Sequence, residues 1–237
     1  MKHLTSVLLL LGLGILPPTF AEEPQSSDGP SLEVSFARGA WTSDEWLFVK
    51  SPRWETHSSW IQEEDAITNV IPEDIDPSAI PSDRMADVYA SLLYKQPFHG
   101  NVRFETECQF DQEMAPLLVF SKELTEVYRE HLEVVLYNEG INLWHHYYEN
   151  GRPSWKRLGF LEAKFEPGKK YTLSARFEFD SKGTTLIMEC DGKKFGVMLD
   201  GDWPRDYYAG VTACEGVNHF YRFAAEPVAI GLRPAWF

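Results

Sequence analysis

Apolar and polar residues alternate along most of the chain in short runs that are separated by turn residues. Between Tyr171 and Phe179 every second residue is apolar and the residues between them are polar. This period of two is typical of a strand with one buried face. The other runs that we predict as strands are Leu32–Phe36, Trp46–Val49, Trp60–Ile71 in broken form, Val88–Lys95, Val102–Phe110, Pro116–Phe120, Glu130–Tyr137, Ile141–Tyr148, Trp155–Phe160, Thr185–Cys190, Phe195–Leu199, Tyr208–Cys214 and Phe220–Ala225. Many short strands spaced by turns indicate an all-β sandwich or barrel.

The stretches between these runs are predicted as turns, one loop and one short helix. Asn150-Gly151 and Asp191-Gly192 are expected to close hairpins, because both pairs accept the positive φ of primed turns. Pro72–Asp87 is acidic and rich in proline, which predicts a long loop. Ser121–Glu130 is the one segment with the composition of a short helix.

The stretch Arg129–Phe160 is predicted as three consecutive antiparallel strands. A two-residue turn at Glu139-Gly140 pairs Glu133 with His146, whereas a three-residue first turn brings His145 to that place. In the second hairpin the predicted pairs are His146 with Trp155, Trp144 with Arg157, Leu143 with Leu158 and Ile141 with Phe160. The face predicted as core collects Leu132, Val134, Leu136, Ile141, Leu143, Leu158 and Phe160.

The opposite face of these three strands carries the candidate chemistry. Glu133 with His146 (or His145), together with His131, forms a candidate catalytic group, because a carboxylate within hydrogen-bond reach of an imidazole can move protons. Aromatic rings stack on sugar rings, and a guanidinium binds hydroxyl or acidic groups. The candidate ligand-binding residues are Trp144, Tyr148, Trp155, Arg157 and Tyr137. The alternative is an ordinary sheet face that the chain itself covers, stabilised by cross-strand pairs.

The first residues have the features of an export signal. Lys2 supplies a positive charge, an apolar run spans Val7 to Ile15, and Ala21 provides a small residue before a cleavage site at Glu22. We therefore expect residues 1–21 to be a signal peptide and residues 22–31 a flexible tether, and we expect the mature protein to be secreted or periplasmic. No later segment is long and apolar enough to predict a membrane-spanning helix.

Composition narrows the range of partners. The chain has 36 acidic and 22 basic residues, a formal net charge of −14, which argues against a nucleic-acid partner. Cys108, Cys190 and Cys214 lie in strand-like apolar runs and are predicted to be buried thiols, with one disulfide as the alternative. Their spacing fits no zinc site, and we expect no cofactor. The sequence leaves open whether a calcium ion stabilises the sandwich.

Four features of the last third carry a resemblance to a known superfamily. They are the strand Tyr171–Phe177, a second strand ending at Asp191-Gly192, the run Tyr208–Gly216 and the closing strand Phe220–Phe223. From Lys169 to Val228 the chain resembles the concanavalin A-like and laminin-G-like jelly rolls. This resemblance implies a single two-sheet antiparallel jelly-roll sandwich over residues 32–237.

The superfamily includes lectins, carbohydrate-binding modules, glucanases, polysaccharide lyases and domains similar to 3-keto-disaccharide hydrolases. The resemblance therefore implies a glycan-facing sheet. The chain lacks the Glu-x-Asp-x-x-Glu strand of the glucanases and the Arg-x-Glu-x-Arg and Gln-x-His pairs of alginate lyases, so enzymatic activity stays open.

The sequence thus predicts a secreted domain that binds or processes a glycan or polysaccharide. One alternative is a non-catalytic protein-interaction or structural sandwich. The other is a polysaccharide lyase or glycoside hydrolase that uses a Glu–His pair. The sequence does not predict the oligomeric state.

Overall fold

Seventeen strands form in the part of the chain that the structure, a computed structural model, describes: residues 31–54, 56–73, 88–112 and 114–229. The strands are β1 Leu32–Ser35, β2 Trp46–Val49, β3 Thr56–His57, β4 Trp60–Gln62, β5 Ile67–Asn69, β6 Val88–Tyr94, β7 Phe98–His99, β8 Val102–Phe110, β9 Met114–Ser121, β10 His131–Tyr137, β11 Gly140–Glu149, β12 Arg152–Glu162, β13 Tyr171–Asp180, β14 Gly183–Cys190, β15 Lys193–Met198, β16 Asp206–Cys214 and β17 Asn218–Pro227. A single 3-10 turn, Ser43–Glu45, precedes β2 within these residues. The predicted signal peptide, the tether up to residue 30 and residues 74–87 of the predicted acidic loop lie outside the described residues.

The strands form two sheets that pack as a sandwich. The eight-stranded sheet has the order β15-β14-β13-β8-β17-β5-β4, with β1 also on β17. The nine-stranded sheet has the order β12-β11-β10-β9-β16-β6-β2, with β3 on β6 and β7 on β16. Every pairing is antiparallel except β3 with β6. The all-β antiparallel sandwich that the sequence predicts is confirmed.

Buried side chains form two separate clusters, one on each face of the nine-stranded sheet. The inner core lies between the sheets and includes Phe104, Leu118, Val134 and Phe177. The outer core lies on the other face of the nine-stranded sheet and consists of Val49, Trp54, Tyr89, Leu93, Ala115, Leu117, Val119, Tyr128, Val135 and Cys214. Segments outside the sheet therefore cover part of the face on which the sequence placed its candidate site.

Both predicted hairpin turns are confirmed, as are the buried thiols. Asn150 and Asp191 have φ values of 52° and 50°, and the glycines that follow them are also positive. Cys108, Cys190 and Cys214 are free and buried. The predicted helix at Ser121–Glu130 is wrong, because after β9 this segment crosses the outer face in an irregular conformation.

The first hairpin of the three-strand stretch turns one residue earlier than the sequence suggests. Tyr137 pairs with Gly140, so that Glu133 lies opposite Trp144 and His131 lies opposite His146. Gly140 is the first residue of β11, and β12 approaches it closely. A Cβ at this position would overlap the carbonyl oxygen of Leu161, so only glycine fits there. The register moves by two residues, which leaves each side chain on its predicted face.

The second hairpin follows its predicted register only as far as a bulge at Leu158. His146 pairs with Trp155 as predicted, but beyond the bulge Asn142 pairs with Phe160. The predicted core position of Phe160 is therefore wrong, and the ring lies 39% exposed on the outer face. A bulge inserts one unpaired residue and so exchanges the two faces of the strand beyond it.

These two positions provide a test of the bulge. Leu143→Ala removes a side chain that is 0% exposed in the inner core, so we expect a loss of about 2–5 kcal/mol of stability. Phe160→Ala removes an exposed ring, and we expect a loss of about 1 kcal/mol or less. Urea unfolding of both variants gives the comparison. An equal loss in the two variants would place Phe160 in the core and contradict the bulge.

Candidate functional site

Three buried polar side chains meet on the outer face of the nine-stranded sheet. His131 and Glu133 lie two residues apart on β10 and therefore share a face. His146 on β11 is the cross-strand partner of His131. The three residues are 1%, 4% and 4% exposed, respectively. The sequence prediction that these residues come together is thus met by the geometry, although through a different register.

The carboxylate of Glu133 is the centre of this cluster. The hydroxyl of Tyr89 donates a hydrogen bond of 3.0 Å to Glu133 Oε1, and His131 Nε2 lies 3.2 Å from the same oxygen. His146 Nε2 lies 2.9 Å from Glu133 Oε2. The imidazole rings of His131 and His146 stack with their centroids 4.6 Å apart.

The protonation states follow from burial and from these contacts. Burial alone raises the pKa of Glu133, but the charge of His146 and the hydrogen bond from His131 outweigh it and hold the pKa well below its usual value. Burial lowers the pKa of His131 to about 4, against the opposing effect of Glu133. At neutral pH the cluster therefore holds an ionised carboxylate beside a neutral imidazole.

Two segments of the chain cover the cluster. The ring of Tyr128 stacks on His131 at a centroid distance of 4.1 Å, and its hydroxyl is 2.7 Å from Ser91 Oγ. Trp54 stacks on Tyr89 with the centroids 6.0 Å apart. Both Trp54 and Tyr128 belong to the outer core. The centre of the candidate face is therefore closed by the protein itself.

The rim of the face stays open. Tyr148 and Trp155 are 44% and 45% exposed. The guanidinium of Arg53 lies 4.5 Å from the centroid of the Trp155 ring and 4.7 Å from that of Trp54, so it joins the open rim to the cover. Tyr148 and Trp155 therefore have the exposure that a ligand-binding ring needs.

The remaining predicted ligand residues form a second patch farther along β11 and β12. Trp144 is half-buried against the outer core, and the guanidinium of Arg157 lies 6.0 Å from the centroid of its ring. Arg157 is also 5.2 Å from the ring centroid of Phe160, which contacts Tyr137 with the centroids 6.2 Å apart. The sequence missed Phe160 as a member of this patch because no pattern predicted the bulge.

The alternative partner, His145, belongs to a different pair. Its Nε2 atom is 3.0 Å from Glu130 Oε1, and Lys122 Nζ is 2.8 Å from the same oxygen. Burial lowers the pKa of His145. Between the two histidines that the sequence left open, His146 is therefore the one beside Glu133.

A cleft of about 430 Å³ adjoins the cluster where β9 ends, β10 begins and β11 ends. Its walls include Lys122, Val127, Tyr128, Arg129, Tyr147 and Tyr148. A crevice of about 10 Å³ continues from its walls to His131 and His146. Sequence analysis missed Lys122, Tyr128, Arg129 and Tyr147. The first three lie in the segment predicted as a helix. Tyr147 was missed because the alternation along its strand assigns this position to the core face.

No protein-family model matches the chain, and no curated protein matches it in sequence. Solved structures do match in fold. A β-1,3-1,4-glucanase from a mouse hindgut metagenome has a TM-score of 0.54 at 10% identity, over 84% of this chain and 99% of its own. The carbohydrate-binding module CBM66 from Bacillus subtilis has a TM-score of 0.53 at 10% identity, over 77% and 95%. Peanut lectin has a TM-score of 0.53 at 9% identity, over 86% and 100%.

The two-sheet topology together with these likenesses shows a concanavalin A-like jelly roll. The expectation from the last third of the sequence is thus confirmed for the fold. At this level of identity the likenesses concern the fold alone.

The division between cover and rim predicts different losses for two tryptophans. Trp54→Ala removes a ring that is 8% exposed in the outer core, so we expect a loss of about 3–5 kcal/mol. Trp155→Ala removes an exposed ring and its contact with Arg53, and we expect a loss of about 1 kcal/mol or less. Denaturant unfolding measures both. A larger loss from Trp155→Ala than from Trp54→Ala would show that the rim, not the centre, is the covered part.

Proposed function

We propose that the chain is an exported carbohydrate-binding or carbohydrate-processing domain that holds a glycan on the outer face of the nine-stranded sheet. The observation that carries this proposal is a pair of exposed rings: Tyr148, which lines the 430 Å³ cleft, and Trp155, which lines the crevice that adjoins it. The binding region consists of the cleft and this rim, beside the cluster of Glu133 and its histidines.

The lining of the cleft and of the adjoining crevice suits a polar ligand with apolar faces. Tyr148 and Trp155 offer flat surfaces on which the C–H faces of a sugar ring can stack. The guanidinium of Arg129 is exposed in the cleft and forms no ion pair with any residue that the structure describes. It is therefore available to donate hydrogen bonds to hydroxyl or carboxylate groups of a ligand.

Proteins of the same fold support this choice of ligand class. The Bacillus subtilis module is a carbohydrate-binding module, and the hindgut protein is a β-1,3-1,4-glucanase. Because one fold supports many functions, the ligand of this chain must be inferred from its own residues. Exposed aromatic rings beside a cleft are the feature that this chain supplies.

The proposal includes export to the exterior or the periplasm. Residues 1–21 have the charge, apolar run and small terminal residue of a signal peptide. Within residues 31–54, 56–73, 88–112 and 114–229 there is no helix that is long and apolar enough to cross a membrane.

Binding is a better proposal than catalysis at Glu133. A general acid or base must come within hydrogen-bond reach of the reacting group, directly or through one water. Glu133 is 4% exposed, and Oε1 accepts a hydrogen bond from Tyr89. A glycoside hydrolase or lyase reaction at this carboxylate requires the cover formed by Trp54 and Tyr128 to open.

The second candidate function is a non-catalytic interaction or structural sandwich. The observation that favours it is the outer core, which removes the centre of the face from solvent. In that case the exposed rim contacts another protein rather than a sugar, and the domain binds no glycan.

The test begins with a glycan array, which provides a ligand for calorimetric titration. Tyr148→Ala and Trp155→Ala should each weaken binding by about 1–3 kcal/mol, because each removes stacking area from the ligand. Phe48→Ala is the matched control, since Phe48 is an equally exposed aromatic residue on β2, at the far end of the same sheet. Thermal melting of each variant checks that folding is kept.

The control variant should bind like the wild type. If no glycan binds, or if all three variants bind with equal strength, the rim is not a sugar site and the interaction domain becomes the better description.

A further inference from the structure

The buried cluster contains the atoms of a metal site. His131, Glu133 and His146 each offer one ligand atom, and these atoms all lie within 4.8 Å of one another. Two imidazoles and one carboxylate form a ligand set that binds Zn²⁺ in catalytic sites and Fe²⁺ in non-haem sites. Exposed acidic groups often cluster without binding an ion, but these three residues are buried.

Two of the ring nitrogen atoms have no hydrogen-bond partner among the described residues. His146 Nε2 faces Glu133 Oε2 at 2.9 Å, but this contact lacks the angles of a hydrogen bond. His131 Nδ1 is also buried and unsatisfied. Buried polar atoms are nearly always paired, and an unmet one requires an explanation such as an ion or a water. An ion between the imidazoles and the carboxylate supplies that partner.

The surroundings hold the ligands in place. The hydroxyl of Tyr89 donates to Glu133 Oε1, which fixes the carboxylate and leaves Oε2 for an ion. The ring of Tyr128 stacks on His131 and fixes the plane of this imidazole. Such supporting contacts orient metal ligands and strengthen binding. Ligand atoms bound to zinc lie at ~2.0–2.2 Å from the ion, so the three side chains must adjust their positions when the ion binds.

An entry path is also present. The crevice of about 10 Å³ is lined by both His131 and His146. This volume corresponds to a single water or ion. Tyr128, Arg129, Tyr147 and Tyr148 line both the crevice and the larger cleft, so the cluster lies directly behind the cleft.

We propose that His131, Glu133 and His146 bind one divalent transition-metal ion of the zinc type, with a coordination position open toward the cleft. The proposal does not depend on glycan binding, and its test needs no glycan. Hard ions such as Ca²⁺, which prefer six to eight oxygen ligands, do not fit this set.

The first test is calorimetric titration of the purified protein with ZnCl₂ after chelator treatment and dialysis. The wild type should bind one Zn²⁺ per chain. Loss of a residue that only supports a metal ligand weakens metal binding by about 10–100-fold. His146→Gln removes a ligand and should weaken binding by more than that. The matched control is His145→Gln, since His145 is the next residue along β11 and also contacts a glutamate, Glu130. The control should bind Zn²⁺ like the wild type, and CaCl₂ should give no binding.

The second test uses the wild type alone and so does not depend on the folding of a variant. X-ray absorption at the zinc edge of the loaded protein should show two imidazole ligands. A folded wild type that binds no Zn²⁺ overturns the proposal. So does equal loss of binding in the two histidine variants, or an absorption spectrum with fewer than two imidazoles.

Discussion

The burial of one ionised carboxylate, Glu133, is the constraint on which the outer face of the nine-stranded sheet depends. A charge removed from water is costly unless paired and hydrogen-bonded, and leaving a buried charge without its partner typically costs about 3–5 kcal/mol. Tyr89 and His131 are within hydrogen-bond distance of Glu133 Oε1, and His146 approaches Oε2. Tyr89 lies on β6 while the histidines lie on β10 and β11, so this one carboxylate ties together strands that are not neighbours in the sheet.

The same constraint divides the face into two regions with different roles. The centre is buried, and Trp54 and Tyr128 cover it as part of the outer core. The rim is not covered, and Tyr148 and Trp155 remain exposed there beside the cleft. The two proposals follow this division: the rim takes the glycan, and the closed cluster takes the metal ion. They can therefore succeed or fail independently of each other.

The period-two alternation was enough to predict most of the strands, although not the two-residue strands β3 and β7, and to predict the face on which Glu133, His131 and His146 meet. The predicted face was correct even though the predicted β10–β11 turn was wrong, because a register shift of two residues keeps each side chain on the same face. The bulge at Leu158 could not be predicted, since it depends on how β12 pairs with β11 and not on the order of apolar residues. The sequence also could not predict that Trp54 and Tyr128 cover the cluster, because contacts between distant segments leave no local pattern.

A double-mutant cycle between Tyr89 and Glu133 tests the central claim most directly. A hydrogen bond to a buried charge is worth about 1.5–3 kcal/mol, so Tyr89→Phe should cost that much stability in the wild type. In a Glu133→Met background the hydroxyl has lost its charged acceptor, and the same substitution should cost at least about 1 kcal/mol less. Urea unfolding of the four proteins measures this difference. If Tyr89→Phe costs the same in both backgrounds, Tyr89 does not support the buried carboxylate and the account of this face is wrong.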